Sequence, residues 1–350
     1  MYQMGKKIKF TLYGSSHGPF VGCILEGLPA GMEVNPESVS KYMSLRKPRS
    51  GIGTGRKEDD VPEFVSGLRD GVTDGMPIDI RIANKNIRSK DYSEYGYKPR
   101  PGHADLPAIA KGIDITGGGP FSGRLTAAVV AGGSVARQFV RQKGIEISAF
   151  TRSIGSVKDV KERTISDSVA SEMHATRSCS SFLDADMRKE IEGAAEMGDS
   201  VGGVTECIVT GLPIGFGGIR FESLDSEIAR AMFGIPACKG IEFGKGFALT
   251  EMKGSESNDQ YHYKNGVKTI TNNLGGLVGG MSNGSPLVFR CAFKPTPSIS
   301  RIQSTVDLRT DETVDIRITG RHDPCIVPRV AVVVESMTAL VLADQIMRGY

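Results

Sequence analysis

Two ten-residue stretches constrain this chain more than any other feature. "GCILEGLPAG" (22–31) and "ECIVTGLPIG" (206–215) agree at six of ten positions. Each reads as a strand ending in a Gly-Leu-Pro turn. Each is followed by a helix candidate, "NPESVSKYMSL" after the first and "SLDSEIARAMF" after the second. These helices open on a capping residue (Asn35; Ser223 or Asp225) and carry acids in the first turn, as helix N-termini prefer. The simplest account is one domain over residues 1–350, built from two related α+β halves at roughly 8–145 and 200–345. Chance recurrence of a common strand–turn unit is the alternative.

The other elements fit that frame. "SGRLTAAVVAGGSVARQFVRQKG" (122–144) is a helix with small residues on most faces, suited to burial against other helices. "PRVAVVVESMTALVLADQIM" (328–347) is a second long apolar helix by its length and later i, i+3/i+4 spacing. The strand candidates "PIDIRIAN", "VTECIVTGL" and "SPLVFRCAF" lie on either side of the first helix, which indicates α+β rather than a doubly wound parallel sheet. Residues 150–200 read as a peripheral, helix-containing segment.

Composition bounds the function classes. A hydrophobic fraction of 39% and a charged fraction of 24% are those of an ordinary globular protein. No run of eighteen apolar residues suggests a membrane span, and the N-terminus is too short in its apolar part for a secretory signal. The cytoplasm is the expected compartment. Six cysteines without a CxxC pair read as buried free thiols, and no metal site is expected. A net charge of +3, concentrated in patches such as Arg46–Lys57, suits small anionic ligands better than nucleic acid. Glycine is the outlier at 44 residues, clustered at 117–119, 202–203, 217–218, 275–276 and 279–280. Clustered glycine marks tight turns or close approach to a ligand. There is no GxxxxGK[ST] loop, no strand–GxGxxG–helix unit and no GxSxG elbow.

Among five histidines, His17 ("GSSHGPF"), His103 ("RPGHADLP") and His322 ("GRHDPC") share small or turn-forming neighbours with an Arg, Ser or Asp nearby. Singly, each fits a hydrogen-bonded loop residue as well as a proton carrier; three in one format favour proton transfer. His174 and His262 sit in polar contexts and read as surface residues. "TGGGPFSGR" runs into a helix N-terminus, where backbone N–H groups attract anions. "KPTPSI" (294–299) holds Lys294, Thr296 and Ser298 between prolines that fix the backbone.

Taken in order, "GSSHGPFVGCILEGLPAG", "RPGHAD" with "GGGPFSGR", "GIPACKGIEFGKGF", "GGMSNG", "KPTPSI" and "GRHDPCIVPRVAVVVES" resemble the successive signatures of the chorismate synthase family, from about residue 9 to residue 340. The resemblance implies a β-α-β sandwich of two related halves around a central helical layer, assembled as a homotetramer. It implies anti-1,4-elimination of phosphate from 5-enolpyruvylshikimate 3-phosphate to give chorismate, using reduced FMN without net redox change. NADPH is a candidate reductant, and no motif separates members that reduce their own flavin from those supplied externally.

By the same resemblance His17 is the acid for the departing phosphate, His103 manages flavin protonation, and Asp323 helps remove the substrate proton. Cofactor contacts carry over to Phe121, Ser122 and Gly123, to Pro236 and Ala237, to Gly279, to Lys294, Pro295, Thr296, Pro297 and Ser298, and to Arg321. Substrate or NADP contacts carry over to Arg46, Arg49, Arg56 and Arg124. Three departures stand out. Pro120-Phe121-Ser122-Gly123-Arg124 replaces the usual R-S-S-A-R, "LRKPRSGIGTGR" replaces R-P-G-x-S-x-x-x-T-x-R, and Pro297 stands where serine is frequent. These changes are expected to alter contacts without altering the reaction. A non-catalytic relative that binds FMN or an anionic metabolite is the competing function; it has no need of three proton-handling residues.

Overall fold

The computed structural model describes residues 1–49, 52–53, 59–85, 94–318 and 323–350. Two five-stranded antiparallel sheets face each other across a layer of helices. The first sheet comprises β1 (Tyr2–Met4), β2 (Lys9–Gly14), β3 (Phe20–Glu26), β4 (Pro62–Ser66) and β5 (Ile78–Ala83), in the order β1-β2-β3-β5-β4. The second comprises β6 (Glu146–Ile154), β7 (Val157–Lys158), β8 (Gly203–Thr210), β9 (Cys238–Phe243) and β10 (Leu287–Phe293), in the order β9-β10-β8-β6-β7. The architecture is α+β.

The two decapeptides supply β3 and β8, the middle strands of the two sheets. Each strand ends at a glycine in the left-handed region, Gly27 at φ +90° and Gly211 at φ +87°. A Cβ on either would lie about 2 Å from a backbone carbonyl oxygen, that of Lys7 or of Gly144, so glycine is required at both ends. Each middle strand is followed by a short helix, α1 (Pro36–Arg46) or α3 (Leu224–Met232). The strand beside it, β5 or β10, precedes a long helix, α2 (Thr126–Gln142) or α4 (Val327–Met347). Asn35 caps α1 through its side chain. Ser223 occupies the cap position of α3 without accepting from a backbone N–H of the helix; its hydroxyl donates to the Asp225 carboxylate of the first turn instead.

Helices α2 and α4 pack face to face between the sheets. Gly133 allows the close approach, because a Cβ there would meet Ser336 of α4 at 2.4 Å. Helix α4 is long and apolar enough to cross a membrane, yet it lies in the interior of the fold. Its Ser336 and Thr338 hydroxyls donate to the carbonyls of Val332 and Val334, which satisfies both buried hydroxyls.

Residues 150–200 are also less peripheral than the sequence suggested. They include most of β6, and Arg177 is buried at 1% exposure. His174 is half-buried rather than a surface residue: its Nδ1 bonds Ser178 O and its carbonyl accepts from Arg49. His262 lies on an exposed hairpin as expected. All six cysteines are free, and all but Cys179 are fully buried.

Candidate active site

A cavity of about 300 Å³ opens at one end of the helical layer. The C-terminus of α1 brings Arg46 and Lys47, the entry to α2 brings Ser122, Gly123, Arg124 and Thr126, and the start of α4 brings Arg329. Loops add His103, Asp60, Asp323 and the Thr296–Ser298 stretch. Ile235, Pro236, Ile326, Val330 and Val333 form an apolar wall.

The floor is cationic but internally balanced. Arg46, Arg124 and Asp60 are all buried, and the Asp60 carboxylate receives Arg124 on Oδ1 and Arg46 on Oδ2. Arg46 also donates to Thr126 Oγ1 at 3.3 Å, and Arg124 donates to Asn84 Oδ1 at 2.8 Å and to the Ala83 carbonyl at 3.2 Å. Burial pulls the Arg46 guanidinium down to about 10, with Asp60 opposing the shift. Burial alone would raise the Asp60 carboxyl, but the two arginines outweigh it and hold it below the usual carboxylate range.

His103 is held by a buried acid. Its Nδ1 meets Asp105 Oδ1 at 2.5 Å, and Arg100 donates to both Asp105 oxygens at 2.7 and 2.8 Å. Burial alone would raise the Asp105 carboxyl; hydrogen bonds from Arg100 and His103, with their charges, bring it well below its ordinary range. A depressed carboxylate contributes stability that is present above its unfolded pKa, about 3.9, and lost as pH falls below that. The melting-temperature gap between wild type and Asp105→Asn is therefore expected to hold from pH 7 to 5 and to narrow below about pH 4. A gap that persists unchanged to pH 3 would remove Asp105 from this role.

His17 lies beside the cavity, not among the residues lining it. Ser16 Oγ donates to Gly117 O at 2.9 Å and therefore accepts from His17 Nδ1 at 3.1 Å. The Gly117–Gly119 backbone has positive φ throughout, and a Cβ on Gly117 would overlap the His17 ring at 1.6 Å. The glycine turn thus seats the imidazole. One residue on, a Cβ on Gly118 would come within 4.0 Å of His103 Nε2, so the same turn runs from one histidine to the other.

Of the residues singled out from the sequence, His103, Asp323, Ser122, Gly123, Pro236, Thr296, Pro297, Ser298, Arg46 and Arg124 come together in the cavity lining. Lys294 stands behind Pro297, with its side-chain pKa lowered by burial and by Lys239. Others are not brought to the cavity. The Arg49 guanidinium donates to the carbonyls of Glu172 and His174, Phe121 is partly exposed outside the cavity lining, and Ala237 and Pro295 lie alongside. Gly279 turns a hairpin that packs on Ser223. Arg56, Arg321 and His322 lie outside the described residues.

Three site residues escaped the sequence reading: Asp60, Asp105 and Arg329, which binds Asp323 and donates from Nε to the Arg46 carbonyl at 2.9 Å. Each had a signal in its setting. Asp60 ends an acidic run behind the basic loop, Asp105 lies within "RPGHAD", and Arg329 is the lone cation entering an apolar helix.

A recess lined by paired cations, His103 and Asp323, with His17 beside it, is that of an enzyme acting on a phosphorylated or carboxylated metabolite by proton transfer. A family model described as chorismate synthase matches residues 8–347. A chorismate synthase from Pyrococcus abyssi is 44% identical over 347 residues, covering 98% of this chain and 97% of that protein. One from Dehalococcoides mccartyi is 43% identical over 359 residues, covering 99% and 96%. A crystal structure of a chorismate synthase superposes with a TM-score of 0.77 at 28% identity, covering 99% of this chain and 93% of that one. The chain belongs to the chorismate synthase family.

Proposed function

We propose that this chain catalyses the anti-1,4-elimination of phosphate from 5-enolpyruvylshikimate 3-phosphate to give chorismate, with reduced FMN bound in the same cavity. The observation that carries the reading is the meeting of Arg46, Arg124, His103 and Asp323 in one cavity, with His17 at its side.

The residues present suit a flavin mononucleotide. The lining combines apolar side chains, Ile235, Ile326 and Val330 among them, with hydroxyls and cations, which suits a flat ring carrying a phosphate. Ser122, Gly123, Pro236, Thr296, Pro297 and Ser298 would hold the group, with Phe121, Ala237, Gly279, Lys294, Pro295 and Arg321 proposed as further contacts. When bound, the reduced flavin supplies electron density to the breaking C–O bond and recovers it as product forms.

The chain's own residues then bind, orient and move protons. Arg46 and Arg124 draw in the anionic substrate, with Arg49 and Arg56 proposed to assist at the loop. His17 gives a proton to the departing phosphate oxygen. Asp323 is oriented by Arg329, while Thr296 Oγ1 donates to its backbone carbonyl at 2.7 Å, fixing the carboxylate for its part in taking the substrate proton. His103, steadied by Asp105, holds a proton at the flavin edge of the site.

The reading extends to a cytoplasmic homotetramer with NADPH as a candidate reductant. Phe221 and Phe247, 93% and 83% exposed, give apolar surface for subunit contact. An anaerobic assay with photoreduced FMN tests the reaction, and a parallel aerobic assay with FMN and NADPH tests self-reduction. Chorismate and phosphate in equal amounts are expected in the first. Binding of both ligands without turnover would identify a non-catalytic relative instead.

A further inference from the structure

We infer that Asp60 is a positioning residue and internal counter-anion: it fixes Arg46 and Arg124 at one spacing and offsets one of their two charges, so the site binds a phosphorylated substrate without trapping released phosphate. The inference rests on the proposed reaction for its consequence, and on the geometry alone for the arrangement.

Two guanidiniums side by side in a buried recess repel each other and would bind any small dianion tightly. Here a single carboxylate bridges them, one oxygen to each, at 6% exposure. The bridge sets one negative charge against the pair's two positive charges. Each arginine is also tied to a separate element, Arg46 to Thr126 on α2 and Arg124 to Asn84 just after β5. Asp60 therefore closes a network across α1, α2 and the first sheet. Its backbone is unusual, since φ is +47°, the left-handed region that aspartate and asparagine tolerate better than other residues with a side chain. The chain accepts this conformation where the carboxylate faces both cations. Arg46 Nε is also buried, without a hydrogen-bond partner among the described residues.

The same backbone guides the test. Asparagine and glycine both tolerate φ +47°, whereas alanine would add strain. Asp60→Asn removes the charge and keeps the shape, and its amide accepts from only one arginine. Asp60→Gly removes the carboxylate and leaves space for formate. Orthophosphate binding is measured by calorimetry on the full chain, and turnover of 5-enolpyruvylshikimate 3-phosphate is measured with photoreduced FMN. In Asp60→Asn, orthophosphate is expected to bind at least about threefold more tightly while kcat falls at least about tenfold. A merely structural residue would weaken binding and turnover together. Added formate is expected to raise kcat of Asp60→Gly and to loosen its hold on orthophosphate. Unchanged or weaker orthophosphate binding in Asp60→Asn, or a kcat within twofold of wild type, overturns the inference. Should Asp60→Asn fail to fold, Asp60→Gly with and without formate decides by the same two readouts. Failure of the wild type to turn over refutes the reaction instead, and the orthophosphate comparison still judges Asp60.

Discussion

Replacing His17 with alanine is expected to lower turnover by about 10²–10⁴-fold, the range for removing a positioned acid, while FMN binding stays within a few-fold of wild type. Separation of the two effects follows from position. His17 is seated by Ser16 and Gly117 beside the cavity, whereas the residues proposed to hold the cofactor line the cavity itself. The imidazole is only half-buried, so its loss leaves a shallow gap rather than a core cavity, and the melting temperature should change little. His17→Gln is the informative companion. Glutamine can still donate to Ser16 but carries no proton that it can release near neutral pH, so it should be as slow as alanine. Turnover near wild type in either variant would remove His17 from proton delivery to the phosphate.

Much of the scaffold was legible because its signals are local. The Gly-Leu-Pro turns depend on backbone conformations only glycine adopts readily, and those turns end the middle strands of both sheets. Alanine and glycine in "AAVVAGG" record a helix crossing so close that Gly133 has room for no side chain. The site was legible where a motif contains its own chemistry, as at His103 and Ser122. It was less so where function depends on a partner distant in sequence. Asp60 and Arg124 are 64 positions apart, and nothing in "EDDVPEF" announces that one carboxylate must serve two arginines. Arg49 shows the opposite limit: it sits in a basic loop with the composition of an anion site, while two backbone carbonyls accept from its guanidinium, a contact that composition does not announce. Composition identifies available charges, and only packing assigns them.

Glu335 shows the same limit in the core, and its removal carries the largest expected cost in stability. The residue lies in the middle of α4 at 1% exposure, inside a run of valines that offers no reason for a carboxylate. Its Oε1 accepts from Arg177 Nη2 at 3.0 Å and from the Ala149 backbone N–H at 2.8 Å, and its Oε2 accepts from Arg137 Nη1 at 2.8 Å. The one side chain therefore ties α4 to α2, to β6 and to the turn before the helix Ser181–Glu196. Glu335→Ala leaves two largely buried guanidiniums without their anion and a strand N–H without its acceptor. Loss of one partner from a buried ionic cluster costs about 3–5 kcal/mol, and chemical denaturation should show a drop of that size. Replacing the cluster together, with Arg137→Met, Arg177→Met and Glu335→Leu, removes the charges at once and should recover much of the loss. Arg177 favours that recovery, because its Nε and Nη1 are buried without hydrogen-bond partners among the described residues. The cluster is thus incompletely satisfied even in the native chain, so a purely apolar replacement gives up less than two ideal ion pairs would suggest. A Glu335→Ala variant with wild-type stability would mean that water or a shifted side chain reaches the arginines, and that the helical layer is held by apolar packing alone.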